Sequence, residues 1–174
     1  MNYIIQDTVD WAIQYGRVPQ SFFKNKSPES IIENFPEEVL NKLNQYFEHT
    51  EGKSVILTGA DSLLKDKFAV CLLLKFIADK HKVIYFEHPN QQDGYEQAWA
   101  TAIMRIDLLI KDKFQLNKFL SHIVEIITKN YVFITSCSSL QTLKNIIGES
   151  TSTLLVNNAV EVEIPVEDIK ILKI

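Results

Sequence analysis

The sequence predicts an α/β fold: a five-stranded, mainly parallel sheet covered on both faces by helices, led by a helical extension. Two observations carry this. From about residue 51 onward, short apolar runs alternate with stretches of helical periodicity, the pattern of successive β-α units. The runs are nearly continuous in apolar residues, as befits strands buried on both faces. A chain of 174 residues suits one such domain. The expected division is an N-terminal helical extension over 1–50 and an α/β core over 51–174.

In chain order, Ile4, Ile5, Val9, Ala12 and Ile13 recur at helical spacing and stop near Gly16. "GRVPQSFFKNKSP" is loop chemistry, with Pro19 and Pro28. Pro36 suits a first helical turn, and Val39, Leu40, Leu43, Tyr46 and Phe47 give that helix an apolar face. "SVILT" reads as the first strand, followed by a helix over 62–80. "KVIYFE" reads as a second strand. "HPNQQDGYEQAWATAIMR" reads as a loop with a short helix containing Trp99, and "IDLLIK" as a third strand at 107–111. A helix through Leu116, Phe119, Leu120, Ile123, Val124 and Ile127 follows, then the strand "YVFITS", the helix "SLQTLKNII" and a fifth strand, "AVEVEI".

Composition excludes several classes. Hydrophobic content of 46% and charged content of 23% are those of a globular domain, and no apolar run approaches the ~18–20 residues of a membrane span. The start "MNYIIQDTVDW" lacks a basic region before an apolar stretch, so no signal peptide and a cytoplasmic location are expected. Cys71 and Cys137 fit two free thiols in a reducing compartment. A net charge of -4 argues against a dominant nucleic-acid-binding surface. His49, His81, His88 and His122 show no metal-ligand spacing. Cys137 lies among Ser136, Ser138 and Ser139, with no feature placing a histidine beside it, so it reads as a packing residue rather than a nucleophile. Glu87 and His88 follow the second strand, at the carboxyl edge where α/β folds place ligands. Only Arg17 and Arg105 are arginines.

Order and spacing resemble the AAA+ fold of bacterial replicative helicase loaders of the DnaC/DnaI type and of the transposition ATPase IstB, over about residues 16–165. The DnaA/Hda branch is a more distant alternative. "EGKSVILTG" resembles the strand before a P-loop, "DLLIKDKF" a Walker B strand, and "VFITSCSSLQTL" a sensor-1 strand and its following helix. "IIGESTSTLL" falls where loaders carry arginines. The resemblance implies a P-loop NTPase-like three-layer fold with sheet order 5-1-4-3-2 and without a separate lid domain.

The chemistry of that resemblance is degenerate. A P-loop reads G-x-x-x-x-G-K-S/T, its backbone amides cradling phosphate. Gly59 and Lys65 match, whereas Leu64 stands at the second glycine and Asp66 at the magnesium-binding hydroxyl. A carboxylate ~4 Å from a phosphate charge costs about 4 kcal/mol at an effective dielectric near 20. An ordinary helix capped by Asp61 or Ser62 is the simpler reading of the same stretch. By resemblance Asp112 matches the first Walker B acid, and Lys113 replaces the acid that would activate water. Lys65 and Asp112 are then expected to pair across the site. Cys137 stands where sensor 1 carries a polar residue.

The expectation is therefore a non-catalytic pseudo-ATPase that uses no cofactor. It would act in DNA replication through contacts with a helicase, loader or initiator, as a monomer or dimer. Trp11, Tyr15 and Arg17 are the candidate partner-binding residues. One alternative is a divergent ATPase that uses ATP and magnesium through Lys65 and Asp112. Another is a DNA-binding accessory protein of a mobile element, supported by lysines 65, 67, 111, 113 and 118.

Overall fold

The computed structural model describes residues 2–50, 52–91, 98–109 and 113–165. Five parallel strands, β1 (Ser54–Thr58), β2 (Val83–Phe86), β3 (Ala100–Ile103), β4 (Val132–Ser136) and β5 (Ala159–Glu163), form one sheet in the order β2-β3-β4-β1-β5. This is the order expected from the P-loop resemblance. The register aligns Tyr85, Ala102, Ile134, Val55 and Val160 across the sheet. Because side chains alternate along a strand, that row faces one core and its neighbours face the other.

The first core packs Val55, Tyr85, Ala102 and Ile134 against α3 (Ser62–Ala78), with Val9 and Ala12 of α1 (Asn2–Gln14) and Val39 and Leu43 of α2 (Glu37–His49). The second packs Ile56, Ile84, Ile103 and Phe133 against Phe119 and Ile123 of α4 (Lys113–Thr128), Leu143 of α5 (Leu140–Ile147) and Leu155 of α6 (Glu149–Asn157). The α5 and α6 helices are split at Gly148, which has φ +80. Hydroxyls inside the sheet satisfy local backbone: Ser54 Oγ accepts from Phe133 N at 2.9 Å, and Thr135 Oγ1 donates to Ile103 O at 2.8 Å.

The N-terminal segment is part of this architecture. After α1 the chain turns at Gly16, whose carbonyl accepts from Tyr85 N at 2.8 Å, so it covers the outer edge of β2. Three 3-10 turns, Gln20–Phe22, Lys24–Lys26 and Pro28–Ile31, bring Phe22 edge-on to Tyr85, with ring centroids 6.0 Å apart.

Two expectations are corrected. The third strand is Ala100–Ile103, not 107–111; residues Ile106–Leu108 form a 3-10 turn. Alanine, at two of the four positions of β3, has weak strand preference beside "IDLLIK". Here Ala100 and Ala102 face the first core, where small side chains let Phe68, Leu72 and Phe76 of α3 come close to the sheet. Trp99 lies in a bend just before β3 rather than in a helix, with its N–H on Lys82 O at 2.9 Å. The α6 helix, in the segment read as arginine-replaced, is an additional element.

Candidate functional site

At the carboxyl edge of the sheet, only Gly59, Ala60 and Asp61 separate β1 from α3. Asp61 is the N-cap, its Oδ1 accepting from Leu64 N at 2.9 Å, and Lys65 N donates to Asp61 O at 3.2 Å. Residues 62–64 are thus the first turn of a helix rather than an open loop. A carboxylate of the chain itself sits at the helix start and takes up Leu64 N, one of the amides to which a phosphate would bind.

Gly59 is required for a reason that involves no phosphate. It has φ +108, and a Cβ there would lie 2.2 Å from Ile164 O. Ile164 follows β5 and donates its N–H to Thr58 O at 2.8 Å, so two backbones meet where no side chain fits. Leu64, at the second-glycine position, is 6% exposed and belongs to the first core.

Lys65 is folded inward. Its ammonium donates to Gly59 O at 2.5 Å and Cys137 O at 2.9 Å, and burial holds its pKa below the ordinary lysine value, with Asp107 the largest opposing influence. Two carbonyls hold this ammonium; Asp112, the partner expected for it, and Lys111 lie outside the described residues. Lys113 begins α4 and is exposed. Cys137 directly follows β4 and is buried, which pushes its thiol up to about 12 and leaves it protonated.

The second half of the site comes from β3. Arg105 adopts a left-handed conformation (φ 54, ψ 52), which turns the chain sharply after the strand, and its N–H donates to Ser136 Oγ at 2.8 Å. Its Nη2 donates to Asp66 Oδ2 at 2.5 Å, and Nη1 lies 3.5 Å from Glu87 Oε1. Asp66 is 1% exposed. Burial raises its pKa, and the Arg105 hydrogen bond and charge, the largest opposing influences, do not fully offset it. Asp66 stands where a P-loop hydroxyl holds a metal ion, so a guanidinium meets the chain at that point. Beside it, Asp107 Oδ2 accepts from Ser138 N at 3.0 Å.

A Mg-nucleotide does not fit this arrangement. One first-turn amide, Leu64 N, is capped, the lysine is turned onto two carbonyls, and the metal-holding position carries an arginine-paired carboxylate. What remains is an open cleft of about 420 Å³ lined by Leu63, Lys65, Arg105, Asp107, Leu108 and Cys137. Leu63 and Leu108, 56% and 54% exposed, form an apolar rim.

The structure therefore gathers Gly59, Leu64, Lys65, Asp66 and Cys137 at one edge of the sheet. It adds Arg105, Asp61 and Asp107 to them. Arg105 had one signal in the sequence, as one of only two arginines; its role was hidden because the strand that carries it was placed too far along the chain. Trp11, Tyr15 and Arg17 cluster elsewhere, at the end of α1. Tyr15 is exposed with its ring 5.4 Å from that of Trp11, and Arg17 sits over the Phe86 ring at 5.4 Å.

No known protein family matches the sequence, and no curated protein matches it. Among solved structures, a crystal structure of a DNA replication initiation factor superposes with a TM-score of 0.61 at 9% sequence identity, over 78% of this chain and 49% of that one. The chain thus spans about half the length of that structure. At this identity the likeness shows the fold alone, an α/β domain whose parallel sheet has the P-loop-like strand order β2-β3-β4-β1-β5.

Proposed function

We propose that this chain is a pseudo-ATPase: a non-catalytic, helicase-loader-like adaptor or modulator of DNA replication that acts through protein contacts. The observation that carries the first half is the Asp66–Arg105 pair beside an inward-folded Lys65, since it removes the metal and phosphate contacts together. Support for the replication half is the fold shared with a replication initiation factor, joined to the loader-like order of the sequence segments. With the nucleotide chemistry gone, what remains of such a fold is its surfaces, of which the Trp11–Tyr15–Arg17 corner and the Leu63–Leu108 rim present exposed apolar groups.

The test is capture with the full chain as bait, using the purified replicative helicase, helicase loader and initiator of its own host. One of them is expected to bind, with an affinity unchanged by Mg-ATP and by Lys65→Ala. Binding to none of the three, or binding that requires nucleotide on this chain, overturns the reading.

A further inference from the structure

The amino edge of the sheet carries a second concave feature, remote from the degenerate P-loop. The 17 residues of α3 separate the two by about 25 Å at 1.5 Å per residue. There the end of α3, the start of β2 and α1 enclose a groove of about 510 Å³. It is lined by the apolar Trp11, Ile77 and Ala78 and by the consecutive run Lys80, His81 and Lys82.

This run is held in place by the backbone. Lys80 closes α3 in a left-handed conformation (φ 68), its N–H on Ile77 O at 2.8 Å, and His81 N donates to Phe76 O at 2.9 Å. Lys80 and Lys82 are exposed. The adjacent acid, Asp79, is engaged by Lys75 at 2.5 Å. In a chain of net charge -4, this is a local concentration of positive charge against the overall sign.

The aromatic arrangement narrows the ligand. His81 stacks on Trp99, ring centroids 3.8 Å apart and planes at 11°, and His81 also lines the groove. His81 thus reaches the groove as a flat ring fixed by Trp99, and the half-buried Trp11 ring lines the same groove. Lysines alone would suit any anion, an acidic peptide included. Flat rings interleaved with cations match planar bases joined by phosphates.

We propose that this groove binds single-stranded nucleic acid: a few nucleotides, with bases on His81 and Trp11 and phosphates on Lys80 and Lys82. The site does not depend on the pseudo-ATPase reading, because it shares no residue with the degenerate P-loop.

The test is titration of the full chain with an oligothymidylate of about 12 nucleotides, within the range that single-strand binding folds cover. The readout is intrinsic fluorescence, since Trp11 lines the groove and Trp99 stacks on His81, which also lines it. Saturable quenching is expected. Its dissociation constant should rise with salt at a log–log slope of about 1.4, from two lysines at roughly 0.7 each. Lys80→Glu combined with Lys82→Glu should weaken binding by about tenfold or more with an unchanged melting temperature; should that pair fail to fold, Lys80→Gln alone should weaken it about threefold and flatten the slope by about 0.7. Trp11→Phe, which keeps a flat ring, should bind within about threefold of the parent. No quenching up to about 1 mM oligonucleotide, full retention in the lysine variants, or equal quenching by poly-L-glutamate would overturn the proposal.

Discussion

Replacing Arg105 by alanine strands Asp66, a carboxylate with 1% exposure, without its guanidinium. Breaking a fully buried pair by removing one partner costs about 3–5 kcal/mol. Here the arginine side chain keeps 32% of its surface in water, so the pair is partly screened and about 2–3 kcal/mol is the appropriate expectation. For a domain of this size that is a fall in Tm of roughly 5–10 °C near neutral pH. The sign with pH is distinctive. Burial already raises the folded-state pKa of Asp66, so the folded protein holds this proton more tightly than the unfolded chain. The stability associated with the protonated acid is present at low pH and lost as pH rises through the folded pKa. Without Arg105 that pKa climbs further, so the gap between variant and parent should be widest near neutral pH and should close on acidification as Asp66 takes up its proton. Urea denaturation of both proteins across that range measures the gap and cancels every other titrating group. Replacing both partners, Asp66→Leu with Arg105→Met, should recover most of the loss. An Arg105→Ala protein as stable as the parent, or destabilised equally at every pH, would refute the assignment of the pair.

Gly59→Ala should destabilise by about 3 kcal/mol or more, because its Cβ meets Ile164 O and φ is +108; a thermal melt within a degree of the parent's contradicts this. Leu64→Gly, which restores the P-loop pattern on paper, should cost about 3–4 kcal/mol by removing a core side chain from a helix, without creating a nucleotide site. Denaturant titration checks the cost, and calorimetry with Mg-ATP checks the absence of a site. His122 is buried, which pulls its pKa from 6.5 to about 4. The unfolded chain therefore binds its proton first, and stability falls as pH drops through that window by about 3 kcal/mol. A His122→Leu variant should lose correspondingly less between the two values in matched pH-dependent melts.

Much of the fold was legible because β1, β2 and β4 are largely apolar runs between helical segments and β5 alternates apolar and acidic residues as an edge strand does. Such runs have few other ways to bury themselves. β3 was not legible, because its requirement is set by its neighbours: a strand beneath Phe68 and Phe76 needs alanine, and alanine in isolation does not announce a strand. That misplacement concealed Arg105. The loss of the second glycine and of the hydroxyl could be seen at Leu64 and Asp66. The compensation could not, since it joins α3 to a left-handed residue 39 positions away in sequence. The cap at Asp61 was one of two readings of its position, and the side-chain bond to Leu64 N selects it.

Isothermal calorimetry of the full chain with Mg-ATP tests the central claim most directly. Losing several kcal/mol of phosphate and metal contacts moves a micromolar site beyond millimolar, since each 1.4 kcal/mol is tenfold. No saturable heat is expected up to about 1 mM nucleotide, and Lys65→Ala should leave the trace unchanged. A saturable isotherm with a dissociation constant below about 100 μM, abolished by Lys65→Ala, would show that the site still holds nucleotide.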